Sequence, residues 1–133
     1  MPNDTILAAE GISHTYDGPG GNLQALDTIS LSLSRESFVC LVGPSGCGKS
    51  TLLRILAGLL SPTAGHVRLE GLAITRPQRR IGIVFQKANL MPWRTVYSNL
   101  SLPLELARMP SSEQEQRTAA MLELTGLTGF ADV

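Results

Sequence analysis

Aromatic side chains are scarce in this chain: one tryptophan, two tyrosines and three phenylalanines among 133 residues. Proteins that track single-stranded nucleic acid stack bases on rows of rings, and too few rings are present for such a platform. An excess of either charge is also missing. Eleven lysines and arginines balance eleven aspartates and glutamates, so no basic surface advertises nucleic acid or an anionic membrane. No apolar run nears the roughly 20 residues of a membrane-spanning helix, and Met1-Pro2-Asn3-Asp4 lacks the basic start of a signal peptide. The chain therefore reads as cytosolic, without a nucleic-acid partner. Two cysteines, Cys40 and Cys47, are too few for a zinc site or a disulfide framework. What remains is enough chain for one modest domain with a sizeable core.

Against these absences, one stretch is dense with information. The template G-x-x-x-x-G-K-[ST] is filled by Gly43, Gly48, Lys49 and Ser50, with Pro44, Ser45, Gly46 and Cys47 in its variable positions and Thr51 after it. An apolar run, Phe38-Val39-Cys40-Leu41-Val42, precedes it, and leucines at helical spacing follow. Strand, glycine-rich loop, helix is the order in which this motif binds phosphate. A polyphosphate needs converging donors with no side chains in the way. Gly43, Gly46 and Gly48 are expected to take positive φ and bring successive N–H groups inward, while the helix starting near Lys49 adds a partial positive charge and unpaired N–H groups. Lys49 can reach the β- and γ-phosphates, and the Ser50 hydroxyl can ligate a Mg²⁺ that shares their oxygens. A mere connecting turn would leave the placement of the lysine and serine unexplained. Cys47 reads either as a somewhat acidic thiol beside Lys49 or, more simply, as a small side chain in a tight loop.

Before the loop, residues 6–16 and the alternating Leu23, Ala25, Ile29, Leu31 and Leu33 suggest two half-exposed antiparallel strands around a turn at residues 17–22. The 38–42 run does not alternate, as in a strand buried on both faces of a parallel sheet. After the loop, Leu52, Ile55, Leu56 and Leu59 form one helical stripe that Ser61-Pro62 should end. Val67 and Leu69 mark a short strand ending at Gly71, with His66, like His14 earlier, expected at exposed alternating positions. Glu70 reads as solvated, and Arg79 and Arg80 as a solvated face. The unbroken run Ile81-Gly82-Ile83-Val84-Phe85 predicts a second buried strand with Gln86 at its carboxyl end, where ligands of open α/β sheets sit. Residues 95–107 predict a helix that Pro103 should kink. Ser112 and Glu115 have capping-box spacing for another, with Met121 and Leu124 on one face and Gly126 as its stop.

Taken together, STLLRILAGLLSPTAG, GHVRLEG and IGIVFQ…LMPWRTVYSNL resemble the nucleotide-binding subunit of an ABC transporter over essentially the whole chain. The resemblance implies an α/β fold: a P-loop NTPase core with an N-terminal antiparallel β region and the start of a helical subdomain. It implies ATP and Mg²⁺ as ligands. Tyr16 would correspond to the aromatic residue that stacks on adenine. Gln86 would correspond to the Q-loop glutamine, which in the family touches the metal and the attacking water. The loop after it, with Met91 and Trp93, would receive a coupling helix of an integral-membrane permease at the cytoplasmic face of the membrane. From the residues alone, Met91, Trp93 and Val96 also fit a core. The wording MPWRTV is most like importers of nitrate, alkanesulfonates, taurine and related small anions.

The family's LSGGQ signature, its Walker B carboxylates and its switch histidine do not occur in the 133 residues. By the resemblance, residues 1–133 are expected to be the N-terminal part of such a domain, which is therefore incomplete. The chain should bind ATP without turning it over, and the complete site is shared across a dimer of two such subunits. A self-contained P-loop small-molecule kinase and a non-catalytic nucleotide-binding regulatory module remain as alternatives at this level.

Overall fold

Two long strands joined through residues 17–22 open the first unit of the computed structural model, which describes residues 4–87 and 89–133. β1 (Thr5–Tyr16) pairs antiparallel with β2 (Leu23–Ser34) on one side and with β3 (Ala64–Leu69) on the other, and β4 (Leu72–Ala73) pairs antiparallel with β3. The sheet order is β2-β1-β3-β4. Helix α1 (Lys49–Leu56) supplies Leu52 and Ile55 to a core completed by Leu7, Ala9 and Ile12 of β1, Leu26 of β2 and Val67 of β3. Burying side chains such as Ile12, Leu52 and Ile55 stabilises by about 1.5–3 kcal/mol each, so this small cluster holds the first unit, Met1–Val84.

The face pattern of β1 changes at Gly11. Ala9 faces Leu31 but Ile12 faces Ile29, so β1 carries one extra residue there. Gly11 takes φ 60, and its N–H, freed from the ladder, donates to Ser30 Oγ at 2.9 Å. The bulge shifts the inward set from Leu7 and Ala9 to Ile12 and His14. His14, expected at an exposed position, is thereby turned inward and is only 7% exposed; His66 is exposed, as expected, and pairs with Glu10 at 3.1 Å. β2 has its own extra residue near Thr28, which sits at φ 42. Its alternation therefore breaks: Leu26 is buried and Leu23 is exposed, where one continuous face from Leu23 to Leu33 was expected.

The two unbroken apolar runs do not form strands. Residues 38–42 and 81–85 are irregular, with Phe38 95% and Val84 98% exposed. A strand exists only through ladder bonds to a neighbour, and among the described residues neither run has one. Helix α1 is also shorter than its leucine stripe suggests. Gly58 at φ 72 ends it, and Leu59 is exposed; a Cβ at Gly58 would stand 2.6 Å from the Arg76 carbonyl oxygen. Glu70 is not simply solvated. It occupies φ 49 in the β3–β4 turn and forms ion pairs with Arg35 and Arg80, so Arg80 is engaged as well.

The second unit, Phe85–Val133, packs α2 (Val96–Leu106) against α3 (Ser111–Thr125), followed by a short 3₁₀ turn, Thr128–Phe130. Thr95 caps α2, its hydroxyl oxygen accepting from the Ser98 N–H at 3.1 Å. The N–H groups of Val96 and Tyr97 donate to the carbonyls of Val133 and Ala131, which satisfies donors that a helix start leaves free. The helix runs through Pro103 to Leu106. In α3 the Ser112–Glu115 capping box is not used: the helix begins at Ser111, with Pro110 as its flanking residue and no side-chain cap. Its buried side chains are Thr118 and Leu122, not Met121 and Leu124, which are exposed. Gly126 ends it in the left-handed conformation at φ 70, as its position suggested.

Candidate functional site

The loop between residue 42 and α1 takes its shape from two left-handed glycines. Gly46 lies at φ 81 and Gly48 at φ 90, whereas Gly43 is not in the left-handed region. Gly43 is constrained by space, since a Cβ there would stand 2.8 Å from Cys47 Sγ. At Gly48 space and conformation coincide: a Cβ would meet the Ala25 carbonyl oxygen at 2.5 Å and Leu26 Cδ2 at 2.7 Å. The loop thus passes against the backbone of β2, and only glycine fits both the angle and the gap.

Immediately after it, the first backbone bond of α1 runs from the Leu52 N–H to the Gly48 carbonyl at 2.9 Å. Among the described residues the N–H groups of Lys49, Ser50 and Thr51 find no acceptor. No acidic side chain occupies the first turn, so the positive end of the helix is not neutralised from within. The Lys49 ammonium lies over the loop, donating to the carbonyl oxygens of Gly43 at 2.8 Å and Pro44 at 2.6 Å, with Cys47 Sγ at 3.4 Å. Pro44, Ser45, Gly46, Cys47 and Ser50 are exposed, and Thr51 is buried. Convergent donors, a cation and two glycines that clear the approach suit an anion of the polyphosphate type.

A metal at this loop would be held by neutral oxygens and not by a cluster of carboxylates, imidazoles or thiolates. Among the described residues no three His, Cys, Asp or Glu side chains gather; the hydroxyl oxygens at the loop belong to Ser45, Ser50 and Thr51, and that of Thr51 is already bonded to Tyr16. Such hydroxyl oxygens would fit a Mg²⁺ that arrives bound to a phosphate chain.

Tyr16, at the end of β1, joins this site. Its hydroxyl is 3.2 Å from Thr51 Oγ1, and the residue is 36% exposed. Behind it, His14 places its ring at 83° to the tyrosine ring with centroids 4.5 Å apart. Neither His14 nor Thr51 stands out in the sequence as part of the tyrosine's setting. The signal available was Gly11, since a glycine inside a strand pattern marks a bulge that changes which side chains face inward.

In the second unit, Gln86 is exposed and follows an irregular segment, not a strand. Trp93 is 79% exposed, which removes the core reading, and Met91 is half-buried. The turn that carries them is organised by Asn99. Its Oδ1 accepts from the Met91 N–H at 2.8 Å, and its Nδ2 donates to the carbonyls of Met91, Arg94 and Thr95 at 3.0–3.1 Å. Arg94 is anchored in turn by Glu105, which also accepts from Ser101 Oγ.

Comparison with known proteins places this geometry in context. Residues 26–133 match the family described as ABC transporter. The chain is 42% identical over 126 residues to an uncharacterized ABC transporter ATP-binding protein of Methanocaldococcus jannaschii, covering 95% of the chain and 47% of that protein. It is 39% identical over 127 residues to the taurine import ATP-binding protein TauB of Pseudomonas putida, covering 96% and 48%. The chain thus spans about half the length of the curated relatives it matches. Among solved structures, the dimeric ATP-binding cassette MJ0796 in a post-hydrolysis state bound to ADP and Pi superposes with a TM-score of 0.81 at 30% identity, over 95% of this chain and 60% of that one.

Proposed function

Because the chain belongs to the ABC transporter family, we propose that it is the ATP-binding part of an importer subunit whose complete form couples nucleotide binding and hydrolysis to transport. The observation that carries this reading is the loop at residues 43–51. Two left-handed glycines, three N–H groups without acceptors at the start of α1, and the Lys49 ammonium are brought together there. Gly43 to Gly48 cradle the phosphates, Lys49 exchanges its loop carbonyls for phosphate oxygens, and Ser50 ligates Mg²⁺. Thr51 adds an N–H. Tyr16 offers its ring to the adenine. Gln86 takes the role of the family's Q-loop glutamine.

The partners of the complete protein are a second nucleotide-binding subunit and an integral-membrane permease, which place it at the cytoplasmic face of the membrane. Exposed Trp93 and its neighbour Met91, on the turn held by Asn99, are the docking surface: a large apolar side chain presented on a rigid turn is the usual anchor of a protein interface. Among the described residues no helix is long and apolar enough to cross a membrane. The transported substrate is a small anion such as nitrate, a sulfonate or taurine, a reading supported by the similarity to taurine import proteins.

Residues 1–133 form the N-terminal part of the nucleotide-binding domain and hold ATP without turning it over. Orienting the attacking water needs a carboxylate poised near neutral pH. Glu70, just past the end of β3, is held by Arg80 and Arg35 with its pKa pulled down to about 2, so it is a poor base. The test compares purified chain with Lys49→Ala. Mg-ATP at 100 times its Kd should stabilise the chain by about 2.7 kcal/mol, and losing the charge-assisted bonds of Lys49 should remove about 1.5–3 kcal/mol of binding. An equal thermal shift in both would remove the loop from the site. Sustained phosphate release that vanishes in the variant would overturn the reading of binding without turnover.

A further inference from the structure

His14 is a buried polar side chain that the proposed nucleotide chemistry does not use. It is 7% exposed, and among the described residues neither Nδ1 nor Nε2 has a hydrogen-bond partner. A buried imidazole with two unanswered nitrogens is destabilising on its own account. Its recorded ring contact is with Tyr16, 4.5 Å between centroids at 83°. This is an edge-to-face pair at the close end of the range such pairs adopt. Tyr16 is then held from a second direction, by its hydroxyl on Thr51 Oγ1 in the first turn of α1.

The two contacts act on different degrees of freedom. The hydroxyl bond fixes the far end of the tyrosine side chain, but leaves the ring free to rotate about the axis through its oxygen. The perpendicular imidazole, 4.5 Å away, restricts that rotation. It stands there because the bulge at Gly11 puts Ile12 and His14 on the inward face. An aliphatic residue at this position would fill the space without presenting a flat ring at a right angle.

We propose that His14 is a positioning residue that sets the plane of the Tyr16 ring, and so raises this chain's preference for a nucleotide over a bare polyphosphate. The inference rests on the reading that Tyr16 stacks on the base. Nucleotide and inorganic tripolyphosphate share the phosphate loop, whereas only the nucleotide has a base for Tyr16 to meet. His14 should therefore contribute to the difference between the two affinities and not to the phosphate affinity itself.

The experiment measures binding of ATP and of inorganic tripolyphosphate to purified chain, both with Mg²⁺, for the unaltered protein, Tyr16→Ala, His14→Ala and His14→Phe. His14→Ala should lower the preference for ATP about three- to tenfold, the range an edge-to-face ring contact supplies, with tripolyphosphate affinity unchanged. His14→Phe, which restores a ring without the nitrogens, should recover most of the preference. If His14→Ala does not fold, His14→Leu, which keeps volume and removes the ring, is measured in its place with the same expectation. A preference lowered by Tyr16→Ala but untouched by the alanine or leucine variant overturns the role of His14 and leaves base stacking standing. Equal loss of both affinities in the His14 variants makes the residue structural only, which also overturns the proposal. No change of preference in Tyr16→Ala removes base stacking, and this inference with it.

Discussion

Residues 43–51 and the apolar runs at 38–42 and 81–85 carry equally strong sequence patterns, yet only the first takes the structure its pattern announces. The loop is held largely by bonds among its own residues. Its turn comes from Gly46 and Gly48, its first helical bond closes back onto Gly48, and Lys49 is satisfied by the carbonyls of Gly43 and Pro44. The apolar runs need neighbours they do not have among the described residues, so they stay irregular, with Phe38 and Val84 in solvent. A local motif is specified by its own residues, whereas a strand is specified jointly with another strand.

The sharpest way to break this contrast is in the core beneath α1. Ile55→Ala should cost about 2–5 kcal/mol, the range for truncating a buried aliphatic side chain, read as a shift in the urea midpoint. A cost below 1 kcal/mol would mean that α1 does not depend on the sheet. Gly48→Ala comes next. It forces a Cβ to within 2.5 Å of the Ala25 carbonyl oxygen at φ 90, and strain of this kind costs about 1–3 kcal/mol. Mg-ATP binding should fall with it. Unchanged stability and binding would show that the loop moves away from β2 without penalty.

Phe38→Ser tests the other side. An exposed apolar residue outside any strand should change stability by no more than about 0.5 kcal/mol, while light scattering from concentrated protein should fall as an exposed apolar run is interrupted. A loss of 2 kcal/mol or more would place Phe38 in a core and the 38–42 run in a strand.

The smallest effect concerns Glu70. Its carboxyl is lowered from the ordinary 4.5 to about 2, first by the hydrogen bond from Arg80 and then by that from Arg35. A depressed folded-state pKa contributes stability that is complete above the unfolded value and is lost as pH falls through the folded one. Glu70→Gln should therefore lower the melting temperature slightly near neutrality and leave a profile less sensitive to acid between pH 4.5 and 2, with the two proteins converging at the acid end. An identical acid profile in the variant would mean that the two arginines do not hold the carboxylate in solution.

Much of the fold and of the candidate site was legible beforehand where the controlling interaction spans only a few residues. The β1–β2 hairpin, the Lys49 helix start and the Gly126 stop agree with their sequence signals. So does the short β3, whose inward Val67 follows the alternation. The misses have a common cause. Ser112 and Glu115 have the right spacing, but Pro110 already begins α3 at Ser111 and pre-empts the capping box. Met121 and Leu124 are apolar, but the buried face of α3 is the one bearing Thr118 and Leu122. Asn99 carries no motif at all. Its four bonds to the 91–95 turn become visible only once the chain has folded back on α2.

What the sequence determined by itself is the glycine-rich loop at residues 43–48 and the helix behind it, because glycine conformation, helix-end donors and a lysine a few bonds away act over distances the local chain sets. Only the tertiary structure decided that His14 turns inward behind Tyr16, that Tyr16 reaches Thr51, and that the two apolar runs are not strands. Each of these depends on a partner from a distant part of the chain: a bulge in register with β2 and β3, a hydroxyl on α1, or a neighbouring strand. Pairing between remote segments is a property of the folded whole, and no periodicity within one segment records it.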